Sequence, residues 1–224
     1  MINKLMSRRV KTCVGRAALI LGLLGVNPAL MAHPHVWIEV HNAITLDDQQ
    51  RIISIEAYWR FDELYSAFAI QGLDANNDGI YSSKELHPIL QDNLEEMQKT
   101  KFYTHMQVND QAQSYGQVEK AETSFEDGYL IMRFSLPLLT PVATAENDIK
   151  IATYDPSYYI AMNLAEQQPA SLLGPSIENC QVAIKRPRQA EAPYLEDSIA
   201  TTETDVALKY ALQFTAQISV KCTQ

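Results

Sequence analysis

The residues best suited to metal chemistry stand close together near the start of the chain. The segment HPHVWIEVH begins at His33 and holds three of the five histidines. Neutral imidazoles and a carboxylate are ligands for Zn²⁺, Ni²⁺, Co²⁺ or Cu²⁺. If the chain is cut after Ala32, the free α-amine of His33 can chelate an ion together with its own imidazole. We therefore expect a transition-metal site, most simply for zinc, whose predicted ligands are His33, His35, Glu39, His41 and Asp155.

Asp155 enters this set because it lies in the segment YDPSYY, where an Asp-Pro pair at a strand end exposes a carboxylate. Two alternatives stay open. The YDPSYY segment is also typical of an aromatic corner that packs the core, and His35 is also typical of a half-buried strand. His87 and His105 stand alone in the sequence, which favours structural roles for both.

A second set of ligands lies in the segment DANNDGIYSSKE, residues 74–85. It follows the twelve-residue calcium loop of EF-hands, in which oxygen donors recur at fixed positions and a glycine at the sixth permits the bend. The alternative is a surface turn that caps the following helix. The spacing predicts a weak, structural Ca²⁺ site whose oxygens come from Asp74, Asn76, Asp78, the Ile80 carbonyl, Ser82 and Glu85.

The first 32 residues are typical of a cleavable secretory signal peptide. They carry five basic and no acidic side chains, then an apolar run from Ala17 to Val26, and end in ALMA. The run is too short for a membrane anchor, which needs about 20 residues. Cleavage after Ala32 is expected, with Ala29 as the alternative. The mature chain then has 13 basic and 27 acidic side chains, a net charge of −14 that disfavours nucleic acid and anionic membranes.

Two cysteines remain after cleavage, Cys180 and Cys222. An even number of cysteines in an exported chain indicates a disulfide, and a thiolate pair on a metal is the alternative. The acidic segment 187–205 lies within the predicted disulfide loop and is expected to be a loop.

The hydrophobic pattern predicts an α+β fold in one mature domain, residues 33–224. Alternation predicts strands at 35–40, 51–59, 102–108, 117–125, 129–136, 148–154, 180–185 and 210–221. Apolar residues at helical spacing predict helices at 62–72 and 83–99, one on each side of the calcium loop. The expected architecture is a mainly antiparallel, β-sandwich-like body with an inserted helix–EF-loop–helix hairpin at about 62–99.

Four motifs in this order resemble one family of periplasmic proteins: HPHVWIE, YWRFDELYS, the calcium-type loop with KEL, and YDPSYY. It is a domain-of-unknown-function family associated with nickel/cobalt/zinc permeases of the NicO type, including ZevA-like zinc-transport proteins. The resemblance runs from His33 to about Tyr159. It implies a periplasmic, metal-handling accessory of an inner-membrane permease, and its matching positions include His33, His35, Trp37, Asp62, Asp155 and Tyr158.

The expected function is therefore a periplasmic metal-binding accessory of a transition-metal transport system, with calcium in a structural role. It is not expected to be an enzyme, because the sequence contains no nucleophile–base pair or other hydrolytic motif. Two alternatives remain: a structural or adhesion module that calcium stabilises, and an oxidative enzyme with copper in an N-terminal histidine brace. We expect no nucleic-acid partner and no membrane insertion of the mature chain.

Overall fold

Two long antiparallel strands open the fold. The structure is a computed structural model that describes residues 35–157, 159–187 and 215–223. In it, β1 (Val36–Leu46) pairs with β2 (Arg51–Phe61), and Val40 lies opposite Trp59. Every second residue of β1 is buried, as the alternation of apolar residues predicts. One face of this hairpin therefore contacts the core, and the other faces solvent.

Two helices follow the hairpin. Helix α1 (Glu63–Ala69) begins at Asp62, whose side chain accepts a hydrogen bond from the Tyr65 amide. Helix α2 (Ser83–Lys99) begins with a capping box, in which the side chains of Ser82 and Glu85 accept from each other's backbone amides. A 3₁₀ turn at Lys101–Tyr103 follows α2. Both helices were predicted, but α1 ends three residues before Gly72, the expected terminator.

Nine further strands follow within the described part of the chain, and most of them were predicted. They are β3 (Thr104–Val108), β4 (Gln111–Ala112), β5 (Ala121–Glu126), β6 (Tyr129–Ala143), β7 (Ile149–Thr153), β8 (Ile160–Leu164), β9 (Ala170–Leu173), β10 (Cys180–Lys185) and β11 (Gln217–Cys222). The sequence did not predict β4, β8 or β9. β4 and β9 have only two and four residues, and β8 begins with three apolar residues in a row, so none of them shows a clear alternation. The first residues of the predicted strand 210–221 lie outside the described part of the chain up to 214.

The strands form two sheets. One has the order β5-β6-β2-β1-β8, with β9 also paired to β1, and the other has the order β10-β11-β7-β3-β4. The pairs are antiparallel except that β1 runs parallel to both β8 and β9. The protein is thus an α+β structure of mostly β-sheet, as predicted.

One hydrophobic cluster takes its residues from both sheets. It includes Ile38, Ile44, Trp59 and Leu136 from the first sheet and Ile151 and Ile218 from the second, each at most 2% exposed. Full burial of such side chains stabilises a fold by about 1.5–3 kcal/mol each. The inner face of β1 is therefore fixed by the core, and its outer face is displayed in a defined register.

A disulfide joins the last strand to β10. Cys180 and Cys222 lie directly opposite each other on β10 and β11 and are bonded, which confirms the predicted pair. The described residues make up one compact unit, and the predicted signal peptide lies outside them. In the described part of the chain, no helix has the length and apolar character needed to cross a membrane.

Candidate functional site

The outer end of β1 carries His35, the first residue that the structure describes. Its side chain is exposed, and its backbone amide donates to the Tyr159 carbonyl oxygen at 2.9 Å. The Tyr159 ring lies 4.7 Å from the imidazole, measured between ring centroids. The imidazole is thus held against an aromatic side chain rather than being free in solvent. His33, its predicted partner, lies outside the described residues, as does Tyr158.

Asp155 organises the loop that carries Tyr159. Its carboxylate is 6% exposed and accepts from the amide and hydroxyl of Ser157 at 2.9 and 2.7 Å. The other carboxylate oxygen accepts from the Ile160 amide at 3.0 Å and from the Ser157 hydroxyl at 2.7 Å. The Ser157 hydroxyl has one hydrogen, which it can give to only one of the two oxygens at a time, so three donors occupy most of the four or so acceptor positions of the carboxylate. Asp155 therefore lies near the start of β1, but it is buried and most of its acceptor capacity is already in use.

A second aspartate fixes the other side of the same strand end. The Asp62 carboxylate accepts from the Trp37 amide at 2.9 Å, and the Asp62 amide donates to the Trp37 carbonyl at 2.9 Å. The same carboxylate caps α1. Because charged acceptors make the stronger class of hydrogen bond, Asp62 ties α1 firmly to β1 two residues after His35.

Glu39 and His41 form a separate group farther along the outer face of β1. The Nδ1 atom of His41 lies 3.1 Å from the Gln168 carbonyl oxygen, so Nδ1 is the donor, since a carbonyl oxygen only accepts. The Nε2 atom lies 3.4 Å from Oε1 of Glu39, and Arg60 Nη2 lies 3.2 Å from that same oxygen. Glu39 thus already has a cationic partner.

The extended strand separates this group from His35. A strand rises about 3.3 Å per residue, which puts Glu39 about 13 Å and His41 about 20 Å from His35 along the chain. Ligand atoms of one zinc ion lie about 2 Å from the metal, and side chains stand roughly perpendicular to a sheet. Glu39 and His41 therefore cannot share one ion with His35. The four predicted ligands that the structure describes divide into one group at the strand start, His35 and Asp155, and one on the sheet face, Glu39 and His41.

The predicted calcium loop lies between α1 and α2, and its carboxylates accept hydrogen bonds from within the loop. Asp74 accepts from the amides of Asp78 and Gly79, and Asp78 accepts from the Ile80 amide. Across the loop, one Glu85 oxygen accepts from the Ala75 amide at 3.0 Å, and the other accepts from the backbone amide and hydroxyl of Ser82. These hydrogen bonds lower the pKa of Glu85 below its usual value and keep it ionised. Gly79 adopts a φ of +76°, as the sharp bend requires.

Within residues 35–157, 159–187 and 215–223, no three His, Cys, Asp or Glu side chains converge as a complete metal site requires. The reasons differ between the two candidates. At the start of β1, the described residues supply one exposed imidazole and one buried carboxylate that already accepts from three donors. In the calcium loop the carboxylates bond to backbone amides of the loop, and three of the six predicted donors, Asn76, the Ile80 carbonyl and Ser82, are not acidic.

The sequence did not predict that Asp62 and Tyr159 contact the start of β1. Asp62 had a local signal, because an aspartate just before a helical pattern is a typical N-cap. Its contact with Trp37, 25 residues away in sequence, had none. Tyr159 had no signal for its position beside His35, because a loop that follows β7 brings it there. Both contacts are products of the tertiary fold.

The sequence has known relatives. An uncharacterized protein of Haemophilus influenzae is 23% identical over 209 residues, which cover 89% of this chain and 97% of that protein. Residues 18–222 match the family described as "Protein of unknown function (DUF1007)", and this match includes both candidate sites. On this match over most of its length, the chain belongs to the DUF1007 family.

Proposed function

We propose that this protein is a periplasmic accessory of a transition-metal transport system and binds zinc at the start of β1. The observation that supports this most directly is the placement of His35. Its side chain is exposed at the outermost end of the strand, its backbone amide donates to the Tyr159 carbonyl, and its imidazole lies against the Tyr159 ring. That position is two residues after His33, the residue that cleavage after Ala32 would make the new N-terminus.

The predicted ligands at this end are the α-amine and imidazole of His33, the imidazole of His35 and, if its hydrogen bonds rearrange, Asp155. Nitrogen donors of this kind suit Zn²⁺, and also Ni²⁺, Co²⁺ and Cu²⁺, which the same donors bind. An exposed ion with few protein ligands can pass to another protein. The proposed recipient or source is an inner-membrane permease of the NicO type, and the disulfide is consistent with an oxidising compartment outside the cytoplasm.

The test compares zinc affinity for two forms of the mature chain. One begins at His33, and the other begins with an extra methionine, which converts the His33 amine into an amide. Loss of a ligand or its orienting partner commonly lowers affinity about 10–100-fold. We expect the methionine-extended form and His35→Ala to bind zinc at least about tenfold more weakly. His87→Ala, at an exposed position of α2, is the matched control. Equal affinity for all four proteins would overturn the site.

We further propose that the protein is a sandwich-like body whose helical hairpin, α1–loop–α2, is stiffened by Ca²⁺ in the EF-type loop. The donors are all oxygens, which calcium prefers. The ion would displace the amide contacts of Asp74, Asp78 and Glu85 in part. A single loop with three carboxylates is expected to bind with Kd of about 10⁻⁴–10⁻³ M, which suits a structural role outside the cell.

Calcium binding is tested by thermal unfolding. With Kd of about 1 mM, about 10 mM Ca²⁺ stabilises the folded state by about 1.4 kcal/mol. For a chain of this size that raises Tm by about 3–6 °C. Asp74→Ala is expected to abolish the rise, whereas Asp92→Asn, on the exposed face of α2, is expected to retain it. A rise that survives Asp74→Ala would place calcium elsewhere. If calcium binds and zinc does not, the protein is better explained as a calcium-stabilised structural module.

A further inference from the structure

Apolar side chains are exposed near the start of β1 in an unusual number. In the part of the chain that the structure describes, seven large hydrophobic residues are exposed, and four of them lie on β1, α1 or the loop beside His35. These four are Trp37 (48% exposed), Leu64 (78%), Phe68 (70%) and Tyr159 (48%). Single exposed apolar residues are ordinary, but a group of them on one region usually marks an interaction surface.

Helix α1 presents two of these residues as a pair. Leu64 and Phe68 are four residues apart, so they lie on the same side of the helix. The opposite side is fixed to the fold, because the buried Ser66 hydroxyl accepts from the Leu130 amide at 2.8 Å. Asp62 attaches the first turn of α1 to the Trp37 backbone. Helix α1, which carries the apolar pair, is therefore anchored at its first turn to the Trp37 backbone and in its middle to β6.

An open cavity of about 280 Å³ reaches the N-cap of α1 at Asp62, two residues before Leu64, and its lining carries a net negative charge. Trp37 lines the cavity together with three carboxylates, Glu39, Asp62 and Glu166, and a single cation, Arg60. Arg60 is already engaged, since it bonds to Glu39 and lies 4.6 Å above the Tyr129 ring.

The two other cavity groups, the Glu166 carboxylate and the Trp37 indole, are suited to bind a positively charged side chain. No basic side chain of the described ranges forms an ion pair with Glu166. The Trp37 indole, the best ring for a cation–π contact, is half exposed at the cavity wall. A Lys or Arg side chain entering the cavity would meet both groups.

We infer that this surface, defined as Trp37, Leu64, Phe68 and Glu166, docks a polypeptide segment that combines basic with apolar side chains. The apolar side chains would pack on α1, and one basic side chain would enter the cavity between Trp37 and Glu166. The charge argues against two other occupants. Two copies of this acidic surface would repel each other, and so would an anionic bilayer. The inference names the partner chemistry for the proposed accessory function, but it does not require a bound ion.

The experiment uses the metal-free mature protein and a fluorescently labelled 14-residue peptide of leucine and lysine with an amphipathic pattern. Binding is followed by fluorescence anisotropy at about 150 mM salt, where long-range attraction is screened. We expect the double variant Leu64→Ser, Phe68→Ser and the single variant Glu166→Gln each to weaken binding at least tenfold. The matched controls are Leu139→Ser, which is 69% exposed in the wild type, and Glu119→Gln, and both are expected to change Kd less than twofold.

Three outcomes would overturn the inference. One is an equal loss of affinity in the surface variants and the controls, which would indicate general charge attraction. Another is equal binding of a peptide with glutamate in place of lysine. The third is a dimer in sedimentation, or binding to phosphatidylcholine vesicles, that the Leu64→Ser, Phe68→Ser variant abolishes. Zinc affinity is measured on the same variants and is expected to stay unchanged, so failure of the zinc site and failure of the docking surface are distinguished.

Discussion

His105 is expected to make the stability of this protein fall steeply in mild acid. It lies on β3, its ring is 4.4 Å from the Tyr154 ring, and its Nε2 atom is enclosed without a hydrogen-bond partner among the described residues. Burial lowers the pKa of His105 from 6.5 to about 4, and the nearby charge of Lys101 acts in the same direction. A hydrogen bond with the Tyr154 backbone opposes this shift only in part.

The sign and size of the effect follow from the two pKa values. Below pH 6.5 the unfolded chain binds a proton at this histidine, whereas the folded chain binds it only near pH 4. The unfolded state is therefore favoured increasingly as pH falls through this interval, and the stabilisation is fully present only above it. Each pKa unit corresponds to about 1.4 kcal/mol, so His105 alone lowers the free energy of unfolding by about 3 kcal/mol between pH 7 and pH 4.

The variant His105→Phe keeps an aromatic ring against Tyr154 and cannot titrate. Urea unfolding at pH 7, 6, 5 and 4 measures the free energy of unfolding for both proteins. We expect the variant to gain about 3 kcal/mol relative to wild type between pH 7 and pH 4. His87→Phe, at an exposed position, is the matched control and is expected to follow the wild type. Parallel curves for His105→Phe and wild type would refute the reasoning.

Two further predictions concern covalent and backbone constraints. Gly174 has a φ of +139°, and an added Cβ would lie 2.3 Å from the Leu46 carbonyl oxygen, so Gly174→Ala should lower the free energy of unfolding by at least about 1–3 kcal/mol in urea. An unchanged midpoint would contradict this packing. Cys180 and Cys222 are 42 residues apart, so the double serine variant should lose about 4 kcal/mol, while thiol labelling of unfolded, unreduced wild type should find neither cysteine reactive.

The sequence alone predicted the features that depend on residues close together in the chain or on composition. Alternating apolar residues predicted β1 and β2, because successive side chains of a strand point to opposite faces. The twelve-residue spacing from Asp74 to Glu85 predicted a loop between two helices, and the structure has such a loop with a capping box at its end. The two cysteines that remain after the expected removal of the signal peptide predicted the disulfide. Each of these rests on neighbours in sequence or on composition.

The tertiary structure decided which distant residues meet. Strands β8 and β9 are short edge strands that pair with β1 in parallel, so their own residues carried no periodic signal. The pairing of β1 with β8 puts Tyr159 beside His35, 124 positions away in sequence, and the hydrogen bonds of the following loop occupy Asp155.

The extended geometry of β1 also separates metal ligands that the sequence had assigned to one site. His35, Glu39 and His41 share the outer face of β1, as their alternation predicted. A strand is extended, however, so successive residues on the same face are about 7 Å apart, and residues farther along the face are more distant still. Proximity in the protein comes from pairing between strands and from the loops that connect them. Those contacts depend on how the whole core packs, and a short segment of sequence does not reveal that packing.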